Sequence, residues 1–262
     1  MIALTPFDLA LAACLVLVLA GLSLALHLEL AGPLLVAAGR AVAQLLLIGL
    51  VLKALFAHAE PGLIGLAALF MVLLAGREVM ARQRIPFRGG WGYALGTISM
   101  FFSAFAVALL ALLTLIRADP WYAPQYAIPL LGMLLGNTMN GIALGLDRLT
   151  QGAVAQRAVI EGRLMLGQRA GEAIADLRRE SLRGALIPII NAMSAAGIIS
   201  LPGMMTGQIL AGAPPVEAVK YQVLILFLIA AGTGFGALAA VWMGARRLFD
   251  ERERLRLERL RY

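Results

Sequence analysis

Charged residues are scarce in this chain of 262 residues. Only 14% of the residues are charged, whereas 61% are hydrophobic, and the mean hydropathy is +0.87. A soluble domain has about 25% charged and about 45–50% apolar residues, so a water-soluble core could not hide this much apolar surface. The composition therefore predicts an integral membrane protein in contact with a lipid bilayer.

Residues that carry common site chemistry are also few. The single cysteine, Cys14, cannot form an intrachain disulfide, and a cysteine-based metal site would need more thiolates. The only two lysines, Lys53 and Lys220, do not lie in a Gly-x-x-x-x-Gly-Lys-[Ser/Thr] phosphate loop, and no nucleophile–base set stands out. We therefore expect no enzyme activity and no bound cofactor in this chain. ATP-driven work would require Mg–ATP on a second polypeptide.

Seven apolar segments are long enough to cross a bilayer as helices, which takes about 20 mostly apolar residues. They cover residues 9–28, 33–56, 62–80, 96–116, 128–149, 184–210 and 219–243. The first segment lacks a basic region before it, so we expect a retained helix rather than a cleaved signal. The sequence therefore predicts an all-α, polytopic membrane protein with one transmembrane domain over residues 1–262.

The basic residues indicate the orientation of these helices. Three clusters, at 77–88, 148–183 and 246–261, follow the third, fifth and seventh segments and hold 18 of the 22 basic residues. Because basic residues concentrate on the cytoplasmic side, seven helices place the amino terminus outside and the carboxyl terminus in the cytoplasm. The net charge of +7 thus reflects membrane orientation, and we expect no nucleic-acid partner.

The stretch between the fifth and sixth segments, residues 150–183, is too polar to cross the membrane. Its apolar residues recur every three or four positions among charged ones, which predicts a cytoplasmic arm made of an amphipathic helix or helix pair. Such an arm could lie on the lipid surface or dock onto a cytoplasmic partner, and its mixed charge favours docking. The candidate coupling residues are Asp147, Arg148, Glu161, Arg163 and Glu172.

After the seventh segment, arginine and glutamate alternate around leucines. This pattern predicts a solvated cytoplasmic helix over about 244–262 that continues the seventh helix.

Polar side chains inside the apolar segments are candidates for a transport pathway. Arg40 and Gln44 share one face of the second helix, and an arginine at such depth costs about 2.5–3.5 kcal/mol unless it faces protein, a cavity or the interface. Asn137 and Asn140 share a face of the fifth helix, where they could join helices or line a pathway. Asn191 lies in the sixth segment.

The sixth segment carries a helix-breaking pair, Pro202 and Gly203. Broken helices at membrane depth need protein or a cavity to satisfy the freed backbone groups, so we predict a kink or re-entrant turn near residues 200–203. Met204, Met205 and Gln208 lie close to it and complete the pathway candidates. Thioethers bind soft metals but more often fill apolar cores, so the sequence does not identify metal ligands. We expect a weak, transient polar pathway.

The segment Ile-Pro-Leu-Leu-Gly-Met-Leu-Leu-Gly-Asn-Thr-Met-Asn-Gly-Ile-Ala-Leu-Gly-Leu-Asp-Arg at 128–148 resembles the signature of the FetB/YbbM permeases. These are the membrane subunits of a bacterial ABC-type iron exporter. The segment Ile-Ser-Leu-Pro-Gly-Met-Met-Thr-Gly-Gln-Ile-Leu-Ala-Gly at 199–212 resembles the same family, as do residues 40–49 and 220–222. The resemblance extends over about residues 25–240.

The resemblance implies a multi-pass permease of the bacterial cytoplasmic (inner) membrane that exports iron, in metal homeostasis and resistance to oxidative stress. It also implies a separate ATP-binding subunit, with two permeases and two ATP-binding subunits in each complex. Two alternatives stay open. One is an ABC permease for an organic solute such as a nucleotide sugar. The other is a lone secondary transporter. Such a transporter usually has paired intramembrane carboxylates and an internal repeat, and the sequence shows neither.

Overall fold

The computed structural model describes residues 5–57 and 60–261, and the chain in these ranges is almost entirely helical. The all-α prediction is therefore confirmed. Ten α-helices occur in the described ranges: α1 (Pro6–Ala25), α2 (Ala31–Ala57), α3 (Pro61–Ala81), α4 (Trp91–Leu110), α5 (Pro124–Ala155), α6 (Arg157–Met165), α7 (Ala170–Ala173), α8 (Ala175–Ala195), α9 (Gly203–Leu210) and α10 (Pro215–Arg247). A π-helical turn, Ala111–Ile116, continues α4, and a 3₁₀ turn, Leu257–Arg259, lies near the carboxyl terminus.

Six helical segments of the described chain are long and apolar enough to cross a membrane: α1, α2, α3, α4 with its π-helical turn, α5 and α10. They correspond to six of the seven predicted segments. The helix α5 runs six residues past the predicted end at 149. Residues 150–155 contain neither proline nor charge, so nothing in them stops the helix when it leaves the apolar region.

The sixth predicted segment, 184–210, is not a single helix. It is divided between the second half of α8 and the short α9, with residues 196–202 between them. Gly197 adopts a left-handed conformation with φ +82°, and its N–H donates to the Ser200 carbonyl at 2.9 Å. Pro202 is extended and caps the start of α9. The number of membrane crossings and their orientation stay predictions.

The chain divides into two compact units, Met1–Glu60 and Pro61–Tyr262. In the first unit, α1 and α2 pack against each other, and the Ser23 hydroxyl accepts a hydrogen bond from the Leu30 N–H at 3.1 Å in the turn between them. In the second unit, α5 and α10 form the centre and pack against α3, α4 and α8.

Glycines allow the central helices of the second unit to approach closely. A Cβ on Gly236 of α10 would collide with Thr138 of α5 and Ser103 of α4, and one on Gly141 of α5 would collide with Thr233. Small residues at helix crossings are typical of membrane bundles, where close packing rather than water exclusion holds helices together.

The helix α8 runs antiparallel to α5. Leu177 lies against Gly152 near the start of α8, and Ala185 lies against Gly141 and Gly145 further along it. The chain therefore returns along α5 from the predicted arm to the opposite end of the second unit.

The predicted helix over 244–262 is wrong beyond Arg247, where α10 ends. The remaining segment folds back, with isolated bridges between Phe249 and Leu255 and between Phe87 and Leu260. Burial of Leu260 draws the segment onto the protein. The Asp250 carboxylate also accepts hydrogen bonds from nearby backbone N–H groups, which competes with helix formation.

Candidate functional site

The predicted arm forms a folded unit between α5 and α8, and we define it as residues 156–174. The Arg163 guanidinium joins its parts: Nη2 lies 2.9 Å from Asp176 Oδ2 at the start of α8, and Nη1 donates to the Ala173 carbonyl at 3.2 Å. Because one side chain bonds α6 to both α7 and α8, a displacement of the arm would be transmitted to α8.

Two predicted coupling residues join the base of the arm to its neighbours. Asp147 Oδ1 accepts from the Arg84 N–H at 2.8 Å in the loop after α3, and Oδ2 accepts from Gln151 Nε2 at 2.6 Å. The Arg148 guanidinium lies over Gly184 of α8, in the space that a Cβ there would need. These contacts connect α5 to the α3–α4 loop and to α8.

The two predicted glutamates stabilise the arm locally. Glu161 accepts a hydrogen bond from Arg157 Nε at 2.8 Å, one turn away on α6. Glu172 accepts from the Arg169 N–H at 3.0 Å and so satisfies a free N–H at the start of α7.

The turn between α6 and α7 carries two neighbouring apolar side chains, Met165 and Leu166, which are each 86% exposed. We call this pair the apolar tip. Gly167 has φ +89° and reverses the chain after it. An exposed apolar pair within a charged arm indicates a contact surface for a partner or for lipid.

The carboxyl-terminal segment 248–261 contacts the arm, which the sequence pattern did not reveal. Glu253 Oε2 accepts from the Ala170 N–H of the arm at 3.1 Å. Arg259 donates to two carbonyls at the end of α10, at 2.7 and 2.8 Å. The Arg88 N–H donates to the Arg259 carbonyl at 2.8 Å, and the Arg261 N–H donates to Pro86 at the same distance.

The carboxyl-terminal segment and α7 enclose a polar cleft of about 540 Å³. The arm, the α3–α4 loop and this segment thus meet at one end of the second unit, which we call the arm end. All three predicted basic clusters contribute residues to it.

Two predicted pathway residues, Met204 and Gln208, meet at the opposite end of the second unit. They line a cleft of about 210 Å³, which we call the α9 cleft. Its other polar or polarisable lining residues are Gln125, Tyr126 and Met133 of α5 and Tyr221 of α10. Gln208 Oε1 is buried and accepts no hydrogen bond from the described residues. Pro202 and Gly203 begin the helix that carries Met204 and Gln208.

The other pathway candidates do not lie at this cleft. Asn137 Nδ2 donates to the Met133 carbonyl of its own helix at 2.9 Å, and Asn140 Oδ1 accepts from Arg82. Asn191 is exposed on α8, and Met205 is half-buried on α9. Arg40 and Gln44 are exposed on α2 of the first unit.

The residues of α5 that line the cleft could have been recognised in the sequence, because they recur at helical spacing around Pro129. Gln125, Pro129 and Met133 are four residues apart and share one helix face. Pro129 has no N–H to donate to the Gln125 carbonyl, so that oxygen lacks its regular helical partner.

In the part of the chain that the structure describes, no three histidine, cysteine, aspartate or glutamate side chains cluster as metal ligands.

Residues 6–249 match the model of a family described as "Uncharacterised protein family (UPF0014)". The chain belongs to the UPF0014 family. It is 39% identical over 234 residues to the UPF0014 membrane protein slr1647 of Synechocystis sp., covering 87% of each chain. No solved structure gives a significant match.

Two further relatives have informative names. The chain is 33% identical over 258 residues to the "Probable iron export permease protein FetB" of Escherichia coli, covering 98% of this chain and 97% of FetB. It is 33% identical over 239 residues to the "Protein ALUMINUM SENSITIVE 3" of Arabidopsis thaliana, covering 88% and 84%. The resemblance to FetB is therefore confirmed, and the chain is a multi-pass membrane protein that is similar to this permease over nearly its whole length.

Proposed function

We propose that this UPF0014 protein is the permease subunit of an ABC-type iron exporter in the bacterial cytoplasmic membrane. A separate subunit would bind and hydrolyse ATP with Mg²⁺, and two copies of each subunit would form the complex. The observation that carries this proposal is the similarity to FetB, named as a probable iron export permease, over nearly the whole of both chains.

The geometry of the arm supports a partner that applies force. The apolar tip projects from an element that Arg163 joins to Asp176 of α8. The contact of Arg148 with Gly184 joins α8 to α5. A partner that binds the apolar tip can therefore displace α8.

The break at residues 196–202 lets a displacement of α8 change the position of α9. The helix α8 leads through these residues to α9, which carries Met204 and Gln208. Because α5 and α10 are continuous helices, a movement of α8 can alter the α9 cleft while the other two walls stay in place. This is how ATP-driven closure of the partner would change the transport pathway.

The first test is capture of an ATP-binding subunit by the purified, tagged permease, followed by ATPase assays in liposomes with and without iron. We expect the two subunits to co-purify and iron to stimulate ATP hydrolysis. Co-purification without iron stimulation would indicate that the exported substrate is another metal, as the name of the Arabidopsis relative suggests, or an organic solute. Absence of any ATP-binding partner would contradict the proposal and favour a lone secondary transporter.

Substitutions in the apolar tip test the docking surface. The double variant M165D/L166D should abolish capture of the ATP-binding subunit, because two carboxylates would have to be buried in the contact. The swapped pair M165L/L166M keeps the tip apolar and should retain capture. If M165D/L166D still captures the subunit and couples to it, the tip does not dock there and a contact with lipid would explain its exposure.

A further inference from the structure

A second cleft at the arm end lies where α4 begins, at Trp91, and α10 ends, at Arg247. Its volume is about 390 Å³, which is within the roughly 300–1,000 Å³ of small-molecule sites. The carboxyl-terminal segment forms its third wall. We call it the arginine cleft, because three of its lining residues are Arg246, Arg247 and Arg259.

Two of these arginines contact aromatic rings rather than carboxylates. The guanidinium carbon of Arg247 lies 4.3 Å from the centroid of the Trp91 ring. That of Arg246 lies 3.8 Å from the centroid of the Trp242 ring. Neither guanidinium makes a hydrogen bond or an ion pair with a residue that the structure describes. A contact with a ring face positions the cation but occupies none of its N–H donors, so these donors can bind an anion.

The arginine cleft carries an excess of positive charge. Arg259 donates to two carbonyls at the end of α10, which are neutral and leave its charge uncompensated. Asp250 also lines the cleft, but its carboxylate already pairs with Arg254 at 2.7 Å and with Arg256 at 3.1 Å. The other acidic lining residue, Glu251, is exposed. Three arginines and one available carboxylate therefore favour an anionic ligand.

The surroundings of the cleft favour the headgroup of a lipid over a soluble anion. Arg246 lies four residues after Trp242, so the two side chains share a face of α10. Leu238 and Phe235 continue this face along the helix, and both are exposed. Exposed apolar residues on a membrane helix face acyl chains, and tryptophans such as Trp91 and Trp242 at helix ends are typical of the headgroup level. A phospholipid can thus lay its chains on α10 and reach the arginines with its phosphate.

We propose that the arginine cleft binds the phosphate of an anionic phospholipid whose acyl chains lie along the exposed face of α10. Guanidinium groups bind phosphate oxygens through two parallel hydrogen bonds, and basic pockets between membrane helices suit such headgroups. The ammonium group of a zwitterionic headgroup would be repelled by the same arginines, so the site selects an anionic lipid. This proposal does not rest on the assignment of the chain as an ABC permease.

Fluorescence of single tryptophans tests the site, because the chain has only three. The variant W121F/W242F keeps Trp91 at the cleft, and W91F/W242F keeps Trp121, which follows the opposite end of α4 and is about equally exposed. The full-length protein is placed in phosphatidylcholine bilayers that contain the same small fraction of either phosphatidylglycerol or phosphatidylcholine with a nitroxide quencher close to the headgroup.

Trp91 should be quenched more by the phosphatidylglycerol probe, with a local enrichment of roughly fivefold or more, since each arginine near an anionic surface contributes a factor of about five. Trp121 should be quenched equally by the two probes. Equal quenching of Trp91 by the two probes would overturn the proposal.

Arginine variants in the single-Trp91 protein separate the cleft from the general attraction of a basic surface. R246Q/R247Q should remove the preference for phosphatidylglycerol. R252Q/R261Q removes the same charge from exposed arginines outside the cleft and should keep the preference. Equal loss in the two variants would overturn the site.

Thermal unfolding in phosphatidylcholine checks that the arginine variants keep their fold. R246Q alone changes only an exposed side chain, so it provides the test if the double variant does not fold. The preference for phosphatidylglycerol should fall severalfold in R246Q, and an unchanged preference would contradict the role of Arg246.

Other occupants of the cleft would give different results. A response of Trp91 to inorganic phosphate without any preference for phosphatidylglycerol would overturn the lipid and indicate a soluble anion. If R246Q/R247Q kept the lipid preference but lost capture of the ATP-binding subunit, the arginines would bind that subunit instead. A permease that prefers the anionic lipid but captures no ATP-binding subunit refutes the ABC assignment and leaves the lipid site standing.

Discussion

The two ends of the second unit are built from the same helices but have opposite chemistry. At the arm end, charged groups are paired: Arg163 with Asp176, Asp147 with the Arg84 N–H, and Glu253 with the Ala170 N–H. In the α9 cleft the lining groups are neutral. Paired charged groups fix the geometry of the arm end, whereas the neutral cleft at the other end lines the proposed pathway, so the comparison separates a mechanical end from a pathway end.

The helices between the two ends also differ. The long helices α5 and α10 connect the two ends without interruption, although α5 contains Pro129. The other connection, α8 followed by α9, is broken at residues 196–202. In the proposed mechanism, α5 and α10 therefore form the static frame, and α8 with α9 forms the moving part.

The largest effect is expected from Gly152→Val, which would break the packing of α5 on α8 at the arm end. The new side chain needs the space that the buried Leu177 side chain of α8 occupies, so α5 and α8 would be pushed apart. Overpacking typically costs about 1–3 kcal/mol, and thermal unfolding should show a lower Tm. Gly171→Val in the arm is the matched control, because a Cβ there meets nothing. An unchanged Tm for Gly152→Val would contradict the close contact.

A smaller loss is expected from Asp147→Ala, which removes both hydrogen bonds of a half-buried carboxylate. Hydrogen bonds to charged groups contribute about 1.5–3 kcal/mol when buried, so we expect about 1–2 kcal/mol here. Hydrogen exchange should increase in the α3–α4 loop around Arg84. Glu180→Ala, at an exposed glutamate of α8, should leave that exchange unchanged. Protection of the loop in Asp147→Ala would show that other contacts hold it.

A local effect is expected from Glu253→Gln, which weakens the link between the carboxyl-terminal segment and α7. The contact is exposed, so its net contribution should be below about 1 kcal/mol. Faster hydrogen exchange at Ala170 is the expected signal. Glu251→Gln, two residues away, is the control, because that carboxylate makes no hydrogen bond to the described residues. Equal hydrogen exchange at Ala170 in the two variants would contradict the role of Glu253 in linking the carboxyl-terminal segment to α7.

The smallest effect concerns pH. Hydrogen bonds from Arg254, first from its side chain and then from its backbone N–H, hold the pKa of Asp250 well below its usual range. A lowered pKa in the folded state means that this contribution to stability is present above the ordinary aspartate pKa of about 4 and is lost only as pH falls below it. Hydrogen exchange over residues 250–256, corrected for intrinsic rates, should therefore not change between pH 5 and pH 8. Opening of this turn within that range would contradict the assignment.

The sequence predicted the membrane helices because long apolar runs have few alternatives, and the mixed charges of residues 150–183 predicted the arm. It could not predict the carboxyl-terminal segment, since alternating arginine and glutamate are typical of a solvated helix. The tertiary contact of Leu260 with the α3–α4 loop and the backbone hydrogen bonds that Asp250 accepts reverse that preference. Met204 and Gln208 were predicted from the nearby helix break. The partners Gln125, Tyr126 and Tyr221 were not, because their convergence depends on how three helices pack.

The most direct test of the division between the two ends measures ATP hydrolysis and Fe²⁺ movement together, in liposomes that contain the permease and its ATP-binding subunit. M165D/L166D should lose subunit binding and therefore both activities. M204W, which fills the α9 cleft with a larger side chain, should keep subunit binding and basal ATP hydrolysis but lose Fe²⁺ movement and its stimulation of ATPase activity. If both variants instead failed at the same step, the separation of a mechanical end from a pathway end would be contradicted.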